Sequence, residues 1–498
     1  SNEGRGYVLR RLLRRAARHG RLLGVQGPFL AELSNKVIEV SGEAYPELVE
    51  KKDYIQKLIS VEEEKFASTI DQGEEIIRQY VEELKSSGKT VLDGEKVFKL
   101  YDTFGFPLEL TEEILAENGC TADTDGFAAN MQKQKELART SRKVGEDEAW
   151  KGSELDIDVP KTEFTGYEKL EDEGKVLALI NESGLTETVE EGQKVKIILD
   201  KTPFYAEGGG QVNDNGFMST QDGVVSLEKV EKKDGVFYHS GTVVKGNLKT
   251  GDTVLAHVDH IRRNKTARNH TATHLLQKAL RTVLGTHVQQ AGSMVNDKIL
   301  RFDFSHFEAV TKEQLAEVEK IVNAVINEFM DVSCKEMSME EAQAAGAMAL
   351  FGEKYGNVVR VVNAGGWSIE LCGGTHVRNT GEIGAFKILS EGGVASGVRR
   401  IEATTGTGVL EEAVKAEAII EKACEPLKCN KNALADKVKA TSEELKAVKK
   451  ELEEIKKAAM GGEVDSMVAN AKEINGIKLV TKEFADCSIN DLRSLSDD

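Results

Sequence analysis

The period of the hydrophobic positions changes along the chain. Up to about residue 150 they recur at helical intervals. From Pro46 to Leu84, Leu48, Ile55, Leu58, Ile59, Phe66, Ile70, Ile76, Ile77 and Val81 are interleaved with Glu and Lys. Ser86-Ser87-Gly88 marks a loop, Tyr101-Asp102-Thr103-Phe104-Gly105-Phe106-Pro107 a second, and helical patterning then resumes, which predicts an α-helical domain over 1–155. From about 160 the period becomes two. Val176–Ile180, Val195–Leu199, Val224–Leu227 and Val236–His239 predict short strands joined by Gly-rich turns, a small β-barrel over 156–257. Between 258 and 407 both periods occur: a helix from about Arg262 to Leu284, strands near Ile299–Phe304, a helix over Lys312–Phe329, and strands flanking a Gly-rich loop at 365–376. Leu434, Val438, Thr441, Leu445, Val448, Leu452, Ile455 and Ala459 then step alternately by four and three. That is a heptad seam, predicted to stop at Gly461-Gly462 within a helical, coiled-coil segment over 408–462. It either pairs between chains or folds back on the helix Leu410–Ala423. Residues 463–498 are expected to begin a further domain. The fold class is multidomain α+β.

Composition narrows the function classes. At 498 residues the chain exceeds one ordinary core, and 40 % apolar with 30 % charged residues is globular rather than disordered. No stretch approaches 18 uninterrupted apolar residues, which excludes a transmembrane helix. Six cysteines in so long a chain are not a disulfide framework, and a reducing, cytoplasmic home is expected. Lys and Arg number 66 against 84 Asp and Glu, a net charge of −18 that argues against nucleic acid for the surface as a whole. Residues 1–24 depart from that average. Arg5, Arg10, Arg11, Arg14, Arg15, Arg18 and Arg21 face one acid, Glu3, a local +6. On a helix, Leu9, Leu12, Leu13 and Ala16 share one face, and Arg11, Arg14, Arg15 and Arg18 the other. A helix docked by its Leu face would present a guanidinium stripe, either as a solvated face or as a phosphate-binding one. The chain opens on Ser1-Asn2-Glu3-Gly4 without a leader pattern and is expected to be an internal segment of a longer polypeptide.

The candidate chemistry lies in the α+β segment. His270 and His274 form a His-x-x-x-His pair whose i, i+4 spacing on a helix lets both imidazoles reach one Zn²⁺. Cys372-Gly373-Gly374-Thr375-His376 sets a thiolate and an imidazole four apart around two glycines, which allow positive φ and remove side-chain bulk near a metal. Two His, one Cys and one His make a complete tetrahedral ligand set. The intervening Thr271, Ala272 and Thr273 supply no general base, so metalloprotease chemistry is not expected. Thr273 and Gln290 are either helix and turn residues or hydrogen-bonding groups that recognise a small polar substrate. Arg399 and Arg400 are either a phosphate anchor or a strand-face ion pair.

Six stretches resemble the alanyl-tRNA synthetase family of bacteria, in family order: Ser1–Arg15 (SNEGRGYVLRRLLRR), Tyr101–Pro107 (YDTFGFP), Thr202–Val212 (TPFYAEGGGQV), Asn269–Leu276 (NHTATHLL), Cys372–His376 (CGGTH) and Ser390–Gly406 (SEGGVASGVRRIEATTG). The resemblance implies a tRNA-recognition domain over 1–155, an editing region made of the barrel and a zinc domain over 258–407, and a coiled-coil helix leading into a C-terminal domain. It implies that His270, His274, Cys372 and His376 hold the editing zinc and that Thr273 and Gln290 read the misactivated amino acid. It further implies that Asn2 and Asp102 read the G·U wobble pair of tRNA(Ala). On their charge, Arg5, Arg11, Arg14, Arg15 and Arg18 of the stripe and Arg399 and Arg400 are expected as further tRNA contacts. One departure is a Gly within Gly208-Gly209-Gly210 where the family often has Ser, so a local polar contact is not carried over. The expected partners are tRNA(Ala) and its mischarged Ser and Gly forms, with a possible homodimer through the C-terminal region. ATP and Mg²⁺ belong to an aminoacylation core absent from these residues. A free-standing trans-editing deacylase and a non-catalytic tRNA-binding or assembly module with structural zinc are the competing readings.

Overall fold

The computed structural model describes residues 4–142, 159–348 and 356–481, apart from 396, 470, 475 and 480. The chain divides into two compact units, residues 1–409 and 410–498.

The first unit begins with helices: α1 (Gly4–Leu22), α2 (Leu30–Ser41), α3 (Pro46–Glu50), the 35-residue α4 (Lys52–Ser86), α5 (Gly94–Asp102), α6 (Leu108–Glu117) and α7 (Thr124–Arg142). The apolar stripe of α4 predicted above is the spine of this region. Phe66, Ile70, Ile77 and Val81 are buried against Phe106, Leu110 and Leu115. Two short strands, β1 (Val91–Leu92) and β2 (Thr121–Ala122), pair in parallel beside them.

Helix α1 docks the opposite way from the sequence expectation. Leu9 and Leu12 are 68 % and 56 % exposed, whereas Arg18 is 3 % exposed. The reason is the rows of carboxylates on α4 and α6. Arg10 pairs with Glu62 and Arg18 with Glu74 on α4, while Arg11 reaches Glu109, Arg15 Glu113 and Arg18 Glu117 on α6, at 2.7–3.4 Å. The acids at 109, 113 and 117 repeat at one helical turn, matching Arg11, Arg15 and Arg18. Arg14 lies with its guanidinium 5.0 Å from the Phe66 ring centre. Seating the Leu face instead would leave the carboxylate rows without their partners.

The period-two segment forms a six-stranded antiparallel closed barrel. With β3 (Glu163–Phe164), β5 (Gly184–Thr186), β6 (Thr188–Glu190) and β8 (Lys201–Thr202) as short additions, its staves run β10 (Gly223–Lys233), β9 (Gly216–Ser219), β12 (Thr253–Val258), β4 (Glu171–Asn181), β7 (Lys194–Leu199) and β11 (Val236–Lys249). The pairing of β11 with β10 closes the ring. The inward alternation of Val176, Leu179, Ile197, Leu199, Val225 and Leu227 fills it.

Next comes α8 (His260–Leu284), capped by Asp259, whose side chain accepts from the Ile261 and Arg262 amides. Together with α9 (Lys312–Asn327) it packs on a four-stranded antiparallel sheet of β13 (Gln290–Val295), β14 (Leu300–Ser305), β19 (Val398–Thr405) and β18 (Phe386–Ala395). A smaller sheet of β15 (Val332–Ser338), β16 (Val358–Ala364) and β17 (Ser368–Leu371), with helix α10 (Met339–Ala344), brings the Cys372–His376 loop to the polar face of α8. Arg263 ties α8 to the barrel: buried, it pairs with Asp214 and donates to the Gly166 and Pro203 carbonyls at 2.6 and 2.8 Å.

The second unit contains most of α11 (Thr407–Leu427), then α12 (Leu434–Ala469) and a hairpin of β20 (Lys472–Ile474) and β21 (Ile477–Leu479). Helix α12 does not stop at Gly461-Gly462 but runs to Ala469. Each interior Gly costs a helix only about 1 kcal/mol relative to Ala, and no Pro follows to break it. A Lys431–Glu417 ion pair at 2.9 Å fastens the inter-helix turn to α11. Yet Val438, Leu445, Val448, Leu452 and Ile455 are all at least half exposed, so the seam is not folded onto α11. Residues 482–498, where the expected further domain would continue, lie outside the described residues. No helix among the described residues is long and apolar enough to cross a membrane.

Candidate metal centre

His270, His274, Cys372 and His376 converge as their spacing predicts. Their ligand atoms all lie within 4.8 Å of one another, and the four could hold a metal ion. Cys372 Sγ is 3.3 Å from both His270 Nε2 and His376 Nε2. The N···S edge of a tetrahedral zinc site is about 3.6 Å, so the residues fit the ion. Residue 374 must be glycine here: a Cβ on it would lie 2.0 Å from the His270 ring. Neither Gly373 nor Gly374 adopts positive φ, so of the two advantages expected from the glycines only the missing bulk is used.

Each imidazole is held from behind. Gln211 Oε1 accepts from His270 Nδ1 at 2.7 Å and from the Thr375 amide at 2.9 Å. Thr271 donates its hydroxyl proton to the Ala267 carbonyl, which leaves its oxygen to accept from His376 Nδ1 at 3.1 Å and from the Val377 amide. His274 Nδ1 faces Glu370 Oε2 at 3.8 Å, and Ser368 donates to the other Glu370 oxygen. With Nδ1 protonated on His270 and His376, Nε2 of each is left as the lone-pair donor toward the thiolate. The cluster thus presents ligating atoms inward and spends its N–H groups on fixed acceptors.

The electrostatics follow. Burial alone would push the Cys372 thiol up, but the imidazoles of His270 and His376 outweigh it and hold it well below the usual thiol range. Burial opposes charge on His274 as well, yet Glu370 and the Cys372 sulfur lift its pKa to about 9. Burial, reinforced by His270, pushes His376 down to about 3. Burial also raises the Glu370 carboxyl. Cys372 is thus a thiolate and His376 a neutral imidazole, the forms that ligate a soft-to-borderline cation, whereas His274 would have to release its proton on binding one.

Gln211, Thr271 and Glu370 were missed by sequence reasoning as supports. Gln211 ends the Gly208–Gln211 turn of the barrel region, about 60 residues before the His pair, and no local pattern links the two. Thr271 carried a weak signal, since a hydroxyl between two ligands on one helix has few other partners.

The remaining candidate residues are distributed as follows. Thr273 is buried with its hydroxyl donated one turn back to the Asn269 carbonyl at 2.8 Å. Gln290 donates to Ser293 Oγ at 3.2 Å. Of the two readings open for Arg399 and Arg400, the structure shows ion pairs: Arg399 is bidentate to Glu391 and Arg400 to Asp303, at 2.6–2.7 Å. Asp102 accepts from Gln134 Nε2 at 2.6 Å. Asn2 and the Arg5 side chain lie outside the described residues.

Comparison with known proteins agrees across the chain. A family model described as tRNA synthetases class II (A) matches residues 1–262. A second, described as the threonyl and alanyl tRNA synthetase second additional domain, matches residues 359–402, which include Cys372 and His376. Alanine–tRNA ligase of Clostridioides difficile is 49 % identical over 501 residues, covering 100 % of this chain and 57 % of the relative. Alanine–tRNA ligase 1 of Lachnoclostridium phytofermentans is 50 % identical over 500 residues, and alanine–tRNA ligase of Fusobacterium nucleatum 47 % over 502, with the same coverages. The chain therefore spans a little over half the length of these curated relatives.

Proposed function

The chain belongs to the alanyl-tRNA synthetase family, and from that premise we propose that it recognises tRNA(Ala) and hydrolyses mischarged Ser-tRNA(Ala) and Gly-tRNA(Ala) at a zinc-containing editing site. The longer protein of which it would be part attaches alanine to tRNA(Ala) with ATP and Mg²⁺. The observation that carries the reading is the convergence of four ligand atoms within 4.8 Å. The need for such a site is physical. A pocket that admits the methyl group of alanine excludes glycine poorly, and serine adds one hydroxyl. Such differences are worth about 1–3 kcal/mol, too little without a second hydrolytic sieve.

His270, His274, Cys372 and His376 would hold the zinc, which when bound supplies a Lewis acid to polarise the aminoacyl ester or activate water. Gln211 and Thr271 keep Nδ1–H on His270 and His376 and so fix which nitrogen faces the site. Thr273 and Gln290 are proposed to read the amino acid. Asn2, Asp102 and the arginines of α1 are proposed to meet the acceptor stem, and Arg399 and Arg400, held in their ion pairs, to line the tRNA path. A homodimer through the C-terminal region would cover the heptad positions of α12.

The Cys372→Ala variant is expected to lose bound zinc and Ser-tRNA(Ala) deacylation together while keeping its helical signal by circular dichroism. Undiminished deacylation would overturn the metal assignment. One observation favours a second reading: four protein ligands leave no open position on a tetrahedral ion, as in structural zinc sites. That reading, a tRNA-binding module with structural zinc, predicts tRNA binding with no turnover in the same assay.

A further inference from the structure

The joint between α11 and α12 brings two thiols together through its backbone geometry. Helix α11 ends at Leu427, and Lys428 follows with a φ of +48°, in the left-handed region. That residue reverses the chain. The Lys428 amide donates to the Glu425 carbonyl at 3.1 Å, and the Cys429 amide to the Cys424 carbonyl at 3.3 Å. These two bonds make a left-handed helix C-cap, in which the residue after the reversal packs its side chain on the residue five back. Apolar side chains commonly fill those two places. Here both are cysteines, each a free thiol, and the two thiols are hydrogen-bonded to each other.

The cap is held by its surroundings rather than by local preference. Glycine is the residue that takes a left-handed position without strain, and a lysine stands there instead. Immediately beyond Cys429, the Asn430 side chain accepts from the Asn432 and Ala433 amides at 3.1 Å and starts the turn into α12. Lys431 pairs back to Glu417 on α11 at 2.9 Å. The thiols differ in access: Cys424 is buried and Cys429 half-buried. Burial, then the Cys429 sulfur and the Glu421 carboxylate, raise the Cys424 thiol, which therefore stays protonated near neutral pH. Cys429 is the sulfur that a reagent in solution meets first.

We infer that Cys424 and Cys429 are a redox couple, which a low-molecular-weight disulfide of the glutathione class oxidises to an intramolecular disulfide across the C-cap of α11. The Cys429 thiolate attacks one sulfur of the reagent, a mixed disulfide forms, and the first small thiolate leaves. Cys424 gives its proton to solvent, attacks Cys429 Sγ and displaces the second small thiolate. Two protein thiols and one small disulfide thus become one protein disulfide and two small thiols, with two electrons passing from the chain to the reagent. The bond needs a close approach of the two Cα atoms, and the cap hydrogen bond runs between these same residues. In a reducing compartment a disulfide at an accessible turn is transient and responsive rather than a permanent staple. Once formed, it fixes the direction in which the heptad helix α12 leaves α11.

The test treats the whole chain with mixtures of reduced and oxidised glutathione, alkylates the remaining thiols and digests with trypsin. Cleavage after Lys422, Lys428 and Lys431 separates the two cysteines, so the disulfide is read as peptide 423–428 joined to peptide 429–431. The joined pair should increase as the mixture becomes more oxidising and vanish with dithiothreitol. The Cys424→Ser variant should instead retain glutathione on Cys429, because the resolving thiol is gone. Oxidation of the intact chain should slow hydrogen exchange of amides in the last turn of α11 roughly tenfold, and oxidation of the variant should not. Absence of the joined peptides at every glutathione ratio would overturn the inference, as would glutathione retained on Cys429 of the intact chain. Equal exchange in the reduced and oxidised chain would overturn the effect on the joint.

Discussion

Helix α1 and the ligand cluster both gather polar groups against the fold, on opposite energetic terms. Along α1 most guanidinium groups meet carboxylates one to one near the surface; Arg15 and Glu113 are 61 % and 25 % exposed. Water screens such pairs, and each contributes little to stability while the row as a whole sets which face of the helix docks. In the ligand cluster the imidazoles and thiolate lie inside the protein, and nearly every polar atom has an assigned partner. There a single missing support leaves a neighbour unsatisfied in a low dielectric. The difference is that α1 gains orientation from many weak pairs, whereas the cluster gains function from a few contacts that do not tolerate loss.

That contrast can be broken most sharply at Gln211. Gln211→Ala removes the acceptor that holds His270, and apparent zinc affinity, measured by chelator competition, should fall about 10- to 100-fold. Unchanged affinity would mean that the cluster tolerates loss as α1 does. A buried histidine away from any metal separates burial from ligation. His239, inside the barrel, accepts from Thr202 Oγ1 at 2.8 Å and donates Nδ1–H to the Ile197 carbonyl. Burial pushes its pKa down to about 4. The unfolded imidazole then binds a proton that the folded one refuses. The barrel should therefore lose stability as pH falls from about 6.5 toward 4, by about 2 kcal/mol at pH 5. Protection of barrel amides against hydrogen exchange, corrected for intrinsic rates, reads this loss, and His239→Gln should flatten it. The smallest effect is expected on α1. Arg15→Ala should cost less than about 1 kcal/mol, and the cost should shrink at high salt. A loss of several kcal/mol there, read as a shift in the unfolding of the helical region, would show that the row acts as a buried network.

What was legible in the sequence depended on the distance over which the cause acts. The His-x-x-x-His pair and the Cys-Gly-Gly-Thr-His loop are short-range geometry, so the candidate ligand set could be read directly. The barrel strands could be read because inward alternation is local, although its closure through β10 and β11 could not. The docking face of α1 was misjudged because its determinants, Glu109, Glu113 and Glu117, lie about 100 residues away. The end of α12 was misjudged because two glycines weaken a helix without breaking it.

The sequence by itself determined the helical, strand and heptad segments, the four residues of the candidate metal cluster, and the family to which the chain belongs. Tertiary structure alone decided that the arginines of α1, rather than its Leu face, meet the carboxylates of α4 and α6, that Gln211 crosses from the barrel region to hold His270, and that Glu370 faces His274. These three depend on groups far apart in the chain brought within hydrogen-bond or Coulomb range. No periodicity or spacing encodes such pairings, since their partners are chosen only when the separate cores pack together.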